Sequence, residues 1–212
     1  MLRSRGDTLI EVLVAFGVFS LAVVGAMAVM NQGSFLAQRS LETTLVRQEI
    51  NSQAEAIRFL HDAYIATYEP GQVYDSGAAE SPTKQWLAMM NYVGTTTGTA
   101  TDLTQIGNSC PAKPAKSFIV DSRNGKFYAP SSGKLANATT FAQLTYTVTG
   151  TNATFNSAQG IWVEAIRSPN NTGDQFQANL GFTDFYILAC WAGMGQDKAS
   201  TMGTIVRLYE PR

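Results

Sequence analysis

Residues Gly6–Met30 read GDTLIEVLVAFGVFSLAVVGAMAVM, and this stretch decides the fold of the chain. From Val12 to Met30, only Ser20 carries a polar side chain. The run is close to the ~20 apolar residues that a helix needs to cross the hydrocarbon core of a bilayer. A cleaved secretory signal has a shorter apolar core followed by small residues. We therefore expect a membrane anchor.

Two cations, Arg3 and Arg5, precede the apolar run. Positively charged residues favour the cytoplasmic side of a membrane. The short N-terminus is therefore expected in the cytoplasm, with Asn31–Arg212 on the other side.

Glu11 stands out because a carboxylate inside an apolar helix is costly and is by default a functional candidate. A local role is an open alternative. Thr8 and Glu11 have the spacing of a capping box, in which Thr8 is the N-cap and Glu11 reaches back to its backbone N–H. Glu11 would also meet the positive end of the helix dipole.

The residues Gly6, Thr8, Leu9–Val14 and Ala15 together resemble the N-terminus of type IV prepilins and of the related pseudopilins of type II secretion. The resemblance is to the class III-type prepilin motif for cleavage and methylation. It implies that a prepilin peptidase cuts after Gly6 and that the new N-terminal residue, Asp7, is methylated. It also implies that Glu11 pairs with the terminal amine of an adjacent subunit in a filament.

The expected pairing has a physical basis. An α-amine has a pKa of about 8 and is mostly charged at neutral pH. An amine and a carboxylate in a dry helical bundle each need a partner, and pairing across subunits would fix their axial stagger. The family most often has phenylalanine where this chain has Asp7, which supplies a competing local partner. That departure, and the absence of the usual mid-helix proline, favour a minor pilin over the bulk subunit.

The predicted function is accordingly that of a minor type IV pilin, a structural subunit of an extracellular pilus and not an enzyme. The alternatives are a pseudopilin of a type II secretion system, and a pilus-tip adhesin or DNA-binding minor pilin. By resemblance, its partners are the prepilin peptidase, other pilin subunits, the assembly platform and its ATPase. Before assembly the subunit would be a single-pass membrane protein, and afterwards part of an extracellular pilus or an extracytoplasmic pseudopilus.

Composition narrows the alternatives. The chain has 212 residues and a net charge of −1, so general electrostatics would contribute little to nucleic-acid binding.

The expected organisation is a leader over 1–6, a transmembrane or filament-core half-helix over 7–30, an amphipathic half-helix over 31–69 and a globular head over 70–212. The head is expected to be loop-rich over 70–116 and to form a sheet over 117–212.

The chain has two cysteines, Cys110 and Cys190. In an oxidising compartment a disulfide is the first interpretation, and two separate buried thiols are the alternative. The bridge would close a loop of roughly 80 residues and add about 4 kcal/mol through chain entropy. Two cysteines this far apart, with a single histidine, make a zinc site unexpected.

Beyond Met30, apolar residues recur at intervals of three and four up to Tyr68, which predicts an amphipathic helix. The stripe is Leu41, Leu45, Val46, Ile50, Ala54, Ile57, Leu60, Tyr64 and Tyr68. Gln53 is assigned to the solvated face between them. Without a proline before Pro70, one continuous helix of about 60 residues is expected.

The remaining segments predict an α+β layout in which the long helix packs on a mainly antiparallel sheet. A short helix is expected over Pro82–Tyr92 and a mobile loop over Thr95–Thr104. Five or six strands are expected, with Asn124-Gly125 turning the first hairpin. Their segments are Phe118–Val120, Lys126–Tyr128, Phe141–Val148, Gly160–Ile166, Phe185–Trp191 and Met202–Tyr209.

No catalytic, cofactor or metal site is predicted. His61 is expected to be a packed or half-exposed helix residue, because no nucleophile and orienting partner are recognisable for it. The three tryptophans, Trp86, Trp162 and Trp191, could line a ligand surface, but core or interface positions are the preferred interpretation.

Overall fold

A computed structural model of the chain describes residues 7–69, 80–94, 98–168, 181–193 and 195–210, with the backbone alone for 7 and 8. It contains one long apolar N-terminal helix and a mainly antiparallel β region, which confirms the α+β prediction at that level. The chain divides into two units, 1–43 and 44–212, and the division falls inside the first helix.

The first helix, α1, spans Asp7–Ala66. Over Leu9–Ser40 its side chains are exposed except for Val23 and Phe35, which are half-buried. The helix has no proline, and the structure agrees with the prediction of one continuous element, although it ends three residues before 69. Leu41, predicted to belong to the buried stripe, is 60% exposed.

From Thr44 onward α1 supplies one wall of the core. Its buried apolar side chains include five that follow the helical spacing that the sequence predicted, namely Val46, Ile50, Ala54, Ile57 and Leu60. Ala56 is also buried and was not part of the predicted stripe. Gln53 is also fully buried, so its assignment to the solvated face was wrong. Spacing alone misplaced it, because its polar side chain has a buried partner on another element.

The second helix, α2, spans Pro82–Val93, in agreement with the prediction. Ser81 is its N-cap and accepts a hydrogen bond from the backbone N–H of Lys84, while Pro82 occupies the first turn, where its missing N–H is harmless. It buries Trp86, Met89 and Val93.

Within the described residues eight strands follow, arranged in three sheets rather than the single sheet that was predicted. They are β1 (Ile119–Asp121), β2 (Lys126–Tyr128), β3 (Leu135–Ala136), β4 (Gln143–Thr149), β5 (Asn152–Gln159), β6 (Ile161–Arg167), β7 (Phe182–Ala192) and β8 (Ala199–Tyr209). Short 3₁₀ helices lie at Leu103–Gln105 and Pro130–Ser132. The former replaces part of the predicted loop, while residues 95–97 lie outside the described residues.

The sheets have the orders β1-β2, β3-β5-β4 and β6-β7-β8. All pairs are antiparallel except β3 with β5. Phe118, the residue before β1, forms a β-bridge with Val163 of β6, with N···O distances of 2.9 and 2.8 Å. Strands β3 and β5 were not predicted. In β5 a bulge breaks the alternation, because Asn156 lies between the residues paired with Thr145 and Tyr146.

Candidate functional site

The first candidate site is the apolar part of α1, Leu9–Met30. Apart from half-buried Val23, its large apolar side chains are exposed by fractions that run from 52% at Val12 to 75% at Leu21. The helix is long and apolar enough to cross a membrane, and its apolar window is not buried anywhere within the described protein. This surface therefore needs a lipid or protein environment that the described chain does not itself supply.

Ser20, the single polar residue between Val12 and Met30, is satisfied locally. Its hydroxyl donates to the carbonyl oxygen of Phe16 at 2.8 Å, one turn earlier. Such back-bonding lets a hydroxyl sit in an apolar helix without a partner from outside. Ser20 therefore places no polar requirement on whatever packs against the helix.

Glu11 differs from Ser20 in its contacts with the described side chains. It is exposed on the apolar surface, and no ion pair or hydrogen bond joins it to another of the described side chains. It lies one helical turn beyond Asp7, so both residues fall on one side of the helix. An apolar environment would leave this carboxylate in need of a cation or a donor from elsewhere.

The structure describes only part of the other predicted N-terminal residues, Gly6, Asp7 and Thr8. Gly6 lies outside the described residues, and only the backbone of Asp7 is described, as the first residue of α1. Thr8 lies within α1, and its side chain is outside the described part of the chain. The capping alternative for Glu11 therefore stays a prediction.

The predicted disulfide is present in the head. Cys110 and Cys190 are joined with an Sγ–Sγ distance of 2.04 Å and a separation of 80 residues. Cys190 is fully buried in β7, and Cys110 lies in residues 98–110, which we call the covering segment. The bridge ties the covering segment to the centre of the β6-β7-β8 sheet.

A second apolar cluster lies beneath the covering segment. Its buried members are Trp162, Leu188 and Cys190, and Leu103 and Ile106 of the covering segment pack against them. Glu164 adds a polar clamp, because its carboxylate accepts the backbone N–H of Thr101 at 2.9 Å and the indole N–H of Trp162 at 2.7 Å. Disulfide and clamp together hold this segment on the sheet. The sequence placed Glu164 in a strand but gave no sign of its partners.

A polar cluster fixes the β1–β2 hairpin. Buried Asp121 accepts hydrogen bonds from the Tyr146 hydroxyl at 2.8 Å and from the backbone N–H of Arg123 at 3.1 Å. The Arg123 guanidinium lies 4.1 Å from the centre of the Tyr146 ring. Burial raises the pKa of nearby Glu49, while Arg123 opposes that rise. Asp121 and Arg123 thus both contact Tyr146 and help to hold the hairpin.

His61 is packed, as predicted. It is 7% exposed, its Nε2–H donates to the carbonyl oxygen of Tyr209 at 2.9 Å, and its ring meets the edge of Trp86 at 5.0 Å between centroids. The core interpretation of Trp86, Trp162 and Trp191 is confirmed, since each is at most 5% exposed. Across the described ranges, no group of three or more His, Cys, Asp or Glu side chains could hold a metal ion.

The described residues thus form an exposed apolar helix that carries Glu11 and an α+β head that contains the Cys110–Cys190 disulfide. Comparison of the chain with models of protein families, with curated protein sequences and with solved structures returns no significant match.

Proposed function

We propose that this chain is a minor type IV pilin, a structural subunit that a prepilin peptidase cuts after Gly6 and that enters a filament through α1. The observation that carries the proposal is that the exposed apolar surface of Leu9–Met30 belongs to the same 60-residue helix that lines the core of the head. A helix that only anchors a domain in a membrane does not also have to pack in the core of that domain.

Two environments can accept the apolar surface: the hydrocarbon of a bilayer and a bundle of similar helices. Burying each large apolar side chain is worth about 1.5–3 kcal/mol in either. The subunit would therefore be stable as a single-pass membrane protein before assembly and inside a filament afterwards. An assembly ATPase and a membrane platform protein would drive the transfer between these environments.

Glu11 gives the bundle its register in this proposal. A carboxylate in an apolar helix costs a few kcal/mol in hydrocarbon, and cleavage after Gly6 would create an α-amine on each subunit. The amine of one subunit and Glu11 of its neighbour would neutralise each other where neither has water.

The experiment is to shear filaments from cells that express the protein and to analyse them by mass spectrometry. We expect an N-terminal peptide that begins at methylated Asp7, in amounts far below those of the main subunit. Glu11→Gln should remain in the membrane fraction but be lost from filaments. Glu55→Gln, an exposed position on the same helix in the head, is the matched control and should be incorporated normally.

Native protein that still carries Met1 and never leaves the membrane fraction would overturn the proposal. The same preparation separates the pilus from a secretion pseudopilus. A pilin is recovered with surface filaments, whereas a pseudopilin is absent from them and its deletion stops protein secretion.

A further inference from the structure

Strand β8 forms one edge of the β6-β7-β8 sheet. All 11 of its residues pair with residues of β7, and the register runs without a bulge. In an antiparallel pair, the backbone N–H and C=O groups of alternate residues point to the neighbouring strand, and those of the residues between them point away. The outward-facing groups of β8 can therefore be assigned residue by residue.

Three hydrogen bonds fix this assignment. The N–H of Glu210 donates at 2.9 Å to the carbonyl oxygen of the residue that precedes β7, so the even-numbered residues of β8 bond to β7. The odd-numbered residues face away from β7. At one end the N–H of Ala199 donates to the carbonyl oxygen of Gly107 at 3.3 Å. At the other end the carbonyl oxygen of Tyr209 accepts the Nε2–H of His61 at 2.9 Å. Other elements of the head thus occupy both ends of this edge.

Between these ends, the outward-facing residues of β8 are Thr201, Gly203, Ile205 and Arg207. Among the residues that the structure describes, none forms a backbone hydrogen bond with them on the side away from β7. Gly203, Ile205 and Arg207 are exposed. A row of unpaired backbone donors and acceptors on a strand is a template for pairing with another chain.

The edge also lacks the features that usually prevent such pairing, which are lysine, proline, bulges and covering elements. The opposite edge of the same sheet is covered in part, because Val163 of β6 exchanges two hydrogen bonds with Phe118. Strand β8 has no lysine, proline or bulge. Its single charged side chain, Arg207, is neutralised by hydrogen bonds of 2.7 and 2.8 Å to Asp184. The edge is therefore neutral as well as open.

The side chains beside this edge are apolar on both faces of the sheet. One face carries Ile205 and Tyr209, which are 58% and 53% exposed. The other face carries Met202 and Leu208, which are partly buried against the core of the head. A strand placed next to β8 would pair its own side chains with these four residues. Such a strand would need apolar side chains on both faces and no charge.

We infer that the edge of β8 over Gly203–Tyr209 binds an extended, uncharged segment of another protein, which joins the sheet as an additional strand. Only an extended main chain carries donors and acceptors with the same repeat of two residues, about 6.8 Å. In this mode of recognition main-chain hydrogen bonds give affinity, and alternate side chains give specificity. The free stretch is short and is closed at both ends by elements of the head, so it fits a short segment better than the whole sheet of a second copy. The inference does not rest on filament assembly, so either proposal can fail alone.

The test uses the full chain in detergent and a displayed library of random seven-residue peptides. We expect the selected peptides to be uncharged and rich in β-branched and aromatic residues. The best peptide is then labelled with fluorescein and titrated by fluorescence anisotropy, where we expect a micromolar Kd. In hydrogen exchange, the bound peptide should slow the amides of Ile205 and Arg207. It should leave Val206 unchanged, because that amide already bonds to β7.

Two variants and a control locate the peptide on this edge. Ile205→Pro removes one outward N–H without breaking the ladder to β7 and should weaken binding at least about 5-fold, the effect of one lost hydrogen bond. Ile205→Lys keeps the N–H but places an unpaired charge beside the apolar peptide, and it should also weaken binding. Val148→Lys, at an exposed apolar position in an edge strand of another sheet, is the matched control and should bind like the wild type.

Selection of charged peptides, or of none, would overturn the inference. So would equal binding by the wild type and Ile205→Lys, because the peptide would then lie elsewhere. Self-association of the wild type that Ile205→Lys abolishes would identify a second copy as the occupant and would overturn the assignment to another protein. Should Ile205→Pro fail to fold, Ile205→Lys and the exchange of the Ile205 and Arg207 amides decide the outcome.

Discussion

Gln53 of α1 is hydrogen-bonded to the backbone of Val120 in β1 from both ends of its side-chain amide. Its Nε2 donates to the Val120 carbonyl oxygen at 2.7 Å, and its Oε1 accepts the Val120 N–H at 3.1 Å. Both residues are fully buried. The amide therefore acts as a strand neighbour for β1 and fixes the register of the helix against the hairpin.

Replacing Gln53 with methionine should destabilise the head by about 2–4 kcal/mol. The change preserves volume but leaves the N–H and C=O of Val120 buried without partners, each at about 1–3 kcal/mol. Urea unfolding followed by circular dichroism measures the loss. Gln48→Met, at an exposed position of the same helix, is the control and should change stability by less than about 0.5 kcal/mol. Equal effects of the two substitutions would refute the pairing.

Gln53 also marks the limit of what the sequence could predict. The spacing of apolar residues correctly identified Val46, Ile50, Ile57 and Leu60 as the buried stripe of α1, because burial of a helix face is a local, periodic property. A buried glutamine depends on a partner 67 residues away. Nothing in the local sequence reports such a partner, so the pattern placed Gln53 in solvent.

Among the strands, too, some were predictable from local sequence and others were not. The hairpin at Asn124-Gly125 and the apolar strands β6, β7 and β8 were predictable from composition and turn signals. Strand β5 was not, since it is largely polar and its bulge interrupts the alternation of inward and outward residues. For the N-terminal site, the sequence singled out Glu11 as an isolated acid, and the structure adds that its helix surface is exposed.

Breaking the disulfide should loosen the head but not α1. The Cys110–Cys190 bridge closes a loop of 80 residues, and losing it should lower the free energy of unfolding by about 4 kcal/mol through chain entropy. In hydrogen exchange of the Cys110→Ala/Cys190→Ala variant, we expect amides of the covering segment and β7 to exchange faster, while those of Val46–Leu60 stay protected until global unfolding. Adding a reductant should reproduce this pattern in the wild type and leave the variant unchanged. Uniform loss of protection would contradict it.

Tyr146 should make the head sensitive to alkaline pH. Burial raises the pKa of Tyr146 to about 12, and its hydrogen bond to the Asp121 carboxylate acts in the same direction. In the unfolded chain a tyrosine has a pKa of about 10. Because the folded pKa is the higher one, this stabilisation is complete below pH 10 and is lost as the pH rises from 10 to 12.

For this half-exposed tyrosine we expect the alkaline loss to be about 1 kcal/mol after solvent screening. Tyr146→Phe should lack that part of the pH dependence, and at pH 7 it should be less stable than the wild type because Asp121 loses a donor. Urea unfolding at pH 9 and pH 11.5 measures both effects. Tyr186→Phe, in another sheet, serves as the control and should retain the wild-type slope. An unchanged slope in Tyr146→Phe would assign the alkaline loss to other groups.

Gly160 should be intolerant of any side chain. It joins β5 to β6 with a φ of 65°, and a Cβ there would lie 2.5 Å from the Cys190 carbonyl oxygen and 2.6 Å from the Ala138 Cβ. Its own backbone is engaged on both sides, since its N–H donates to Ala136 at 2.9 Å and its carbonyl accepts the N–H of Cys190 at 2.8 Å. The glycine thus connects two sheets and cannot move away from the clash.

Gly150 provides the matched comparison for this prediction. It has nearly the same φ, 63°, in the two-residue loop between β4 and β5, but a Cβ there would meet nothing within 4 Å. Gly150→Ala should therefore lower the free energy of unfolding by only about 1 kcal/mol, the cost of a non-glycine residue in the left-handed conformation. Gly160→Ala adds a clash with the backbone and should lower the free energy of unfolding by at least about 3 kcal/mol, or prevent folding. Thermal unfolding of the two variants side by side measures the difference, and similar values would show that the junction can yield and that the sheets are not held together at Gly160.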